Sequence, residues 1–441
     1  MTNKYELLEF NNIPVIFAMS KLQVTFTDIP VISAISEFKK YHTDSMAYSY
    51  LNCGSYVLHP QIELKSIELL DEIMSHFRRV IREMVNIKPR KKSVRRIIDS
   101  MFARWYFSQF IHDKCERNYY IPYNATNYNT IYEDVEYQSG KPLSPRNIIK
   151  LDDALNLTEL CNEAVEEVEA FIESEEYHHI PYEINKEFVE RSVKLTLDMN
   201  GVIIPEKIRS VYLPLSTYES LREAYNEFSS VYTSLDTLIW ILVARYISLN
   251  IYNLQLAIHP SLYKKLQDEL GVQFEMFASG INKFFKHYCS LFQDIEINFG
   301  SRGSFFGFVP IKGFYSVNPP FDTFIINHTL DRLLESLENS TEPLGFFLTI
   351  PIWDKESLFK LKHQTRKRVY IPKHITPFPA VKKIHASKYL KYHQMFHQDD
   401  FRYYDYNTKR TKYVANTHVF ILGNDKITIN AATVDSILYR F

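Results

Sequence analysis

Gly313-Phe314-Tyr315-Ser316-Val317-Asn318-Pro319-Pro320-Phe321 is the stretch on which the fold turns, because it reads as a short buried strand that stops at a rigid corner. Apolar positions at helical spacing follow from Thr323 to Leu337, and Gly345 to Ile352 reads as a further buried strand. Working outward, Val272 to Phe277 and Thr417 to Leu422 are also strand-like, while Asn282 to Phe292 has helical spacing. Strands alternating with helices predict an α/β protein with a mostly parallel, doubly wound sheet. Such sheets bind ligands where loops leave the carboxyl ends of the strands. Three loops fall there: Ala278-Ser279-Gly280-Ile281-Asn282, Asn318 to Phe321, and Pro351-Ile352-Trp353.

The corner itself carries chemistry. An exocyclic amino group on adenine is a poor nucleophile, because its lone pair is delocalised into the ring. A carboxamide oxygen on Asn318 and a backbone carbonyl at Pro319 can each accept one amino N–H, which favours a pyramidal nitrogen with its lone pair available to a methyl donor. Pro319 and Pro320 fix φ and remove two backbone donors, so the carbonyl between them has a set direction. Phe321 is then available to lie against a base. The structural alternative is a Pro-Pro turn that ends a strand, with Phe321 merely buried.

With 441 residues, the chain is long enough for two or three domains and a large core. Hydrophobic residues make up 46% and charged residues 23%, the balance of an ordinary globular protein. Tyr and Phe number 31 each against only 11 Gly, which predicts extensive aromatic packing and few flexible linkers. Cys53, Cys115, Cys161 and Cys289 are too scattered for a zinc knuckle or a disulfide framework, and suit a reducing compartment. The N-terminal residues lack the basic and apolar regions of a secretory signal. The most apolar run, Thr237 to Leu249, is too short to span a membrane, contains Arg245, and reads as a buried helix.

A formal net charge of −1 conceals segregation. Arg78 to Arg96 holds nine Lys or Arg against the single acid Glu83, and Lys355 to Lys412 holds 15 against four acids. Asp152 to Glu176 reverses this, with ten acids and no Lys or Arg. Two basic stretches rich in aromatics suit a nucleic-acid backbone, with Trp105, Tyr106, Tyr370, Tyr389 and Tyr392 as candidates to stack on bases. Solvated helix faces are the plainer reading of each run taken singly.

The first 200 residues read as mainly helical. Ile62 to Val85 and Val94 to Ile111 have helical spacing, Asn118 to Pro145 looks irregular, and Leu155 to Glu175 is an acidic helix. Ser216-Thr217-Tyr218-Glu219 has the form of a capping box that opens a helix to about Ser230, and Leu235 to Tyr252 makes another. The division expected is 1–200 for a helical domain and 201–441 for the α/β domain.

Five of the 11 glycines lie from Gly280 to Gly313, just ahead of Asn318. Phe299-Gly300-Ser301-Arg302-Gly303 would suit a loop around a cofactor carboxylate or ribose, or equally a tight turn between strands. Neither GxGxxG nor a Walker-type GK[ST] occurs, which argues against an ordinary dinucleotide or NTP site.

Taken together, Glu275 to Asn282, Phe299 to Gly303, Asn318 to Phe321 and Phe347 to Trp353 stand in an order and spacing similar to the phosphorylated-CTD-interacting-factor family. The resemblance is clear from about Arg245 to Trp353 and faint before residue 200. It implies a Rossmann-like class I methyltransferase core beside a mainly helical N-terminal domain. It also implies cap-specific mRNA adenine-N6 methylation with S-adenosyl-L-methionine, acting on the first transcribed 2′-O-methyladenosine of the capped RNA 5′ end, with no metal and no membrane. By resemblance, Asn318, Pro319, Pro320 and Phe321 are catalytic. Phe277, Ala278, Ser279 and Asn282, with Phe299, Gly300, Ser301 and Arg302, line the cofactor pocket. Pro351, Ile352 and Trp353 border the substrate. A basic groove for the cap falls to the N-terminal half, with Arg95 and Arg96 among its candidates.

Gly280 stands where the family pattern has Pro. The three tryptophans, Trp105, Trp240 and Trp353, lack the paired spacing of a WW module, so the expectation is a family member without that domain and without direct binding to the phosphorylated polymerase tail. The resemblance implies a nuclear protein. The Asn, Ile, Lys and Tyr content suits an AT-rich genome, and a virus replicating in cytoplasm would keep the enzyme there. The competing functions are a DNA adenine-N6 methyltransferase, a protein-amide methyltransferase and an inactive cap-binding scaffold.

Overall fold

The computed structural model describes residues 23–27, 47–51, 58–85, 87, 94–110, 120–174, 180–229, 231–365, 367–371 and 378–439. Lys88, Arg90, Lys91, Lys92, Cys53 and Cys115 lie outside them.

After strands β1 (Gln23–Thr27) and β2 (Ala47–Leu51) come five helices: α1 (Pro60–Met84), α2 (Val94–Gln109), α3 (Asn129–Ser139), α4 (Pro145–Leu155) and α5 (Leu157–Glu173). Helix α1 begins well because Pro60 occupies its first turn and His59 accepts from the Gln61 N–H at 3.2 Å. The segment expected to be irregular holds α3, whose apolar stripe is only Ile131 and Val135, a signal too short to stand out among Tyr and Asn.

Strands β3 (Tyr182–Val189), β4 (Ser192–Met199) and β5 (Ser210–Pro214) form an antiparallel sheet, with α6 (Glu206–Arg209) between the last two. The division expected at residue 200 falls between β4 and β5, which pair from Ser192 with Pro214 to Thr196 with Ser210. One hydrophobic core also runs from α1 through this sheet into α7 (Leu215–Phe228) and α8 (Leu235–Ser248). Helix α7 starts at Leu215 after Pro214 with no side-chain cap, so Ser216 lies inside its first turn and the expected capping box does not form.

Helix α8 is buried as expected, and its arginine explains how. Arg245 donates from Nε to Glu63 at 2.9 Å and from Nη1 to Asp294 at 2.8 Å. Its guanidinium also sits 5.2 Å from the Tyr120 ring centre and 5.3 Å from that of Phe292. A buried cation requires such pairing. Here it ties α1 to the segment leading into the carboxyl-terminal sheet.

The rest of the chain supplies β6 (Leu256–Ile258), α9 (Pro260–Leu270), β7 (Phe274–Glu275), β8 (His287–Tyr288), α10 (Gln293–Glu296), β9 (Phe308–Val317), α11 (Thr323–Asn339) and β10 (Leu344–Pro351). It continues with α12 (Lys355–Thr365), α13 (Ala380–Ala386), β11 (Leu390–Phe396), β12 (Tyr403–Asp405), β13 (Arg410–Lys412), β14 (Thr417–Gly423) and α14 (Ala431–Leu438). In the main sheet β8, β7, β9 and β10 run parallel, β14 pairs antiparallel with β10, and β11 pairs antiparallel with β14. Strand β2 adds a further antiparallel partner to β9. The sheet is therefore mixed rather than mostly parallel, around a parallel Rossmann-like centre.

Alternation along the strands covers both faces. Tyr315, Val317, Phe346, Leu348, Phe420 and Leu422 point to one core, which α11 closes with Ile326, Leu330, Leu333 and Leu337. Phe314, Phe347, Val419 and Ile421 point to the other, closed by α9 and α14. The helix expected over Asn282 to Phe292 is absent. Its Phe284, Phe285, Tyr288 and Phe292 serve different packing surfaces around turns and the two-residue β8, so their helical spacing is coincidental.

Candidate active site

Strand β9 ends at Val317 and releases Asn318 to Phe321 at the carboxyl edge of the sheet. Asp322 then caps α11 by accepting from the Ile325 N–H at 2.9 Å, while its own N–H donates to the Pro320 carbonyl at 2.8 Å. Among the described residues no donor takes the Pro319 carbonyl. The register pairs Val317 with Leu348, so the next residues along, Asn318 and Thr349, are neighbours. The Thr349 hydroxyl donates to Asn318 Oδ1 at 2.9 Å. Phe321 meets Trp353 and Tyr403 edge to face, with ring centres 6.3 Å and 6.0 Å apart.

The second loop follows β7. Its backbone is tied to both neighbouring strands, Met276 N–H to the Ser316 carbonyl at 2.8 Å and Ala278 N–H to the Cys289 carbonyl at 3.0 Å. Ser279 N–H donates to Asn282 Oδ1 at 2.7 Å, and Ser279 Oγ donates to Gln255 Oε1 at the same distance. Gly280 N–H donates to Glu296 Oε2 at 2.5 Å, and the Tyr246 hydroxyl reaches the other oxygen of that carboxyl at 3.1 Å. Burial pushes Glu296 up to about 8, against the lowering effect of those two bonds. This explains the departure at Gly280. A proline there would have no N–H for Glu296, and even a single Cβ would stand 3.0 Å from Leu221 Cδ2.

These two loops open into one cavity of about 830 Å³. Of the residues expected at the site, Phe277, Ala278, Ser279, Asn282 and Asn318 to Phe321 line it. The others do not. Phe299 is fully buried in the helical core. Gly300 adopts φ +93° in a turn, where a Cβ would lie 2.4 Å from the Lys286 carbonyl. Ser301 is bridged to Tyr288 and hydrogen-bonds through Oγ to Ser290 Oγ at 2.7 Å, so it stands behind the cavity-lining Ser290. The Arg302 guanidinium lies 5.8 Å from the Phe228 ring centre. This segment turns at Gly300 and runs on beside β8 through the single bridge of Ser301 to Tyr288.

Pro351 pairs with Thr417, Ile352 N–H donates to the Asn416 carbonyl at 2.8 Å, and Trp353 sits between Phe321 and Phe378. None of the three lines the cavity; Trp353 touches Phe321 from outside it, and Ile352 packs with Leu358 and Leu361. Arg95 and Arg96 also lie off the cavity, and Arg78 is committed to Asp99 at 2.6 Å. Trp105 and Tyr106 are fully buried in the helical core and cannot stack on bases, whereas Tyr370 is 71% exposed. Tyr389 bonds Glu338, and Tyr392 bonds Asp435 at 2.6 Å.

The unexpected wall comes from α2 and the chain after it. Arg104, Phe107, Gln109, Phe110, Tyr123 and Asn127 line the same cavity as the two loops. Arg104 is held by a two-pronged pair with Asp134, at 3.0 Å from Nε and 2.5 Å from Nη2. Asp322, which lines the same cavity and feels the Arg104 charge, is pushed up to about 6, chiefly by burial. In the sequence Phe107 and Phe110 are indistinguishable from the aromatic core residues beside them, and only the fold turns them onto a cavity. Among the described residues no cluster of three or more His, Cys, Asp or Glu could hold a metal ion, and no helix is long and apolar enough to cross a membrane.

Fold and cavity define a Rossmann-like α/β protein with an Asn-Pro-Pro-Phe corner at the carboxyl edge of its sheet. Residues 215–369 match the family described as the Phosphorylated CTD interacting factor 1 WW domain. The chain is 36% identical to the mRNA (2′-O-methyladenosine-N(6)-)-methyltransferase of Mus musculus over 121 residues, which is 26% of this chain and 17% of the relative. It is 32% identical to the protein of the same name from Homo sapiens over 171 residues, 37% of this chain and 24% of the relative. The chain thus resembles the phosphorylated-CTD-interacting-factor family, and the matches span less than a quarter of these relatives' length. The expectation of a chain without the WW domain is overturned by the match over 215–369. The matched segment runs from α7 to the residues after α12 and includes Trp240 and Trp353, so close tryptophan pairing was the wrong criterion for it.

Proposed function

We propose that this chain methylates N6 of adenine at the first transcribed 2′-O-methyladenosine of capped mRNA, using S-adenosyl-L-methionine. The observation that carries the reading is the shared cavity: the Asn318 to Phe321 corner and the Ala278 to Asn282 loop open onto the same space. At about 830 Å³ it falls within the range that encloses a drug-sized ligand. Its residues fit the cofactor, with Met276, Phe277, Phe305 and Phe306 offering an apolar face to a purine and Ser279, Asn282 and Gln255 offering polar contacts. When bound, that cofactor supplies an electrophilic methyl on a sulfonium.

The remaining work is positional. Asn318 Oδ1 and the Pro319 carbonyl accept the two amino N–H bonds, and Phe321, held by Trp353 and Tyr403, lies against the base. No general base is needed before transfer, because the neutral amine is already the nucleophile. The basic runs Arg78 to Arg96 and Lys355 to Lys412 suit the RNA backbone near the cap. An RNA end is single-stranded, so presenting its first base costs little unstacking.

The test is transfer of labelled methyl from S-adenosyl-L-methionine to short RNAs that differ only in cap and 2′-O-methylation. Capped, 2′-O-methylated RNA should be the best acceptor. Equal activity on uncapped RNA or on DNA would refute cap specificity, and no transfer to any acceptor would refute the enzyme. Asn318→Ala should lower turnover by roughly 100-fold or more while cofactor affinity changes little.

A further inference from the structure

We infer that Thr349 is a positioning residue for the acceptor amine, acting through Asn318; this rests on the amino-group pocket proposed above. A carboxamide presents an oxygen acceptor on one side and an N–H donor on the other, and a half-turn about its last bond exchanges them. Only the oxygen can receive an amino N–H. Something must therefore choose the orientation.

Thr349 is equipped to choose it. Its side chain is fully buried on β10, a central strand flanked by β9 and β14. A β-branched residue in such a strand has little freedom at χ1, so the hydroxyl stays where the backbone puts it. That hydroxyl donates to Asn318 Oδ1 at 2.9 Å and makes no other hydrogen bond among the described residues. A buried hydroxyl proton needs an acceptor. Turning the carboxamide over would set the Asn318 N–H group against Thr349 and strand that proton, so the hydroxyl locks the oxygen in place. An amide oxygen has two lone pairs. Thr349 occupies one and leaves the other for the amine.

The test compares Thr349→Val, which keeps the shape and removes the hydroxyl, with Thr349→Ser, which keeps the hydroxyl, and includes Asn318→Ala. Thr349→Val should lower kcat by roughly 10- to 100-fold with cofactor Kd and melting temperature nearly unchanged. Thr349→Ser should stay within about threefold of the parent. Parent-level kcat in Thr349→Val beside an inactive Asn318→Ala would overturn the inference, as would a Thr349→Ser as slow as the valine variant. Loss of cofactor affinity in step with turnover would also overturn it, making Thr349 a general support. A fully active Asn318→Ala would instead overturn the pocket reading itself.

Discussion

Glutamine at position 296 offers a direct measure of the network beneath the Ala278 to Asn282 loop. Glu296 is completely buried, and burial raises its carboxyl from an ordinary value near 4.5 to about 8 despite the bonds from Gly280 and Tyr246. Between those values the native chain holds a proton that the unfolded chain has released. A raised acid contributes stability that is complete below 4.5 and is lost as pH rises through 8. The limiting slope is 2.303RT per proton, about 1.4 kcal/mol per pH unit, and it flattens near the raised value. Glu296→Gln keeps an oxygen for the Gly280 N–H and abolishes the titration. Urea unfolding of both proteins at about pH 5.5, 6.5 and 7.5 should show the variant gaining on the parent by roughly 2 kcal/mol across the series. Parallel stability curves would refute the buried, protonated carboxyl.

Two further outcomes follow from geometry and charge. Gly300→Ala should cost about 2–4 kcal/mol, because it combines left-handed backbone strain with a Cβ driven against the Lys286 carbonyl; a melting temperature lowered by less than about 2 °C would contradict this. His393, stacked on Phe420 with ring centres 4.3 Å apart, is lowered to about 3, first by burial and then by His418 and His385. It faces Asp354 and Lys360 as well, and its stabilisation is present above its ordinary value of 6.5 and lost as pH falls towards 3. His393→Phe should therefore flatten the acid limb of a denaturation profile by about half of 1.4 kcal/mol per pH unit, discounted for partial exposure, and an unchanged limb would oppose that assignment.

How much was legible in the sequence depended on local pattern. Strands β9, β10 and β14 declared themselves because they are buried on both faces and read as continuous apolar runs. The corner at Asn318 was legible because Asn-Pro-Pro-Phe couples backbone rigidity to a specific acceptor. The β3 to β5 sheet was not legible, since β3 is largely exposed and carries Glu183, Lys186 and Glu187 without an apolar rhythm. Nor was β8, whose two residues obey pairing with β7 rather than any local preference. Arg95 and Arg96 drew notice by charge alone, while Arg104, whose side chain both lines the cavity and pairs with Asp134, looked like any arginine on a helix. Distant pairing decided each of these, and a single sequence does not display it.

The cavity joins two parts of the chain with different histories of resemblance. Its floor, from Phe277 to Asn282 and Asn318 to Phe321, lies inside the segment matched by the family, while its far wall on α2 lies well outside it. The two sets of lining residues are thus encoded more than a hundred positions apart. The two parts nevertheless touch, since Thr323 at the start of α11 bonds Glu133 of α3, so a change in the wall is felt at the corner.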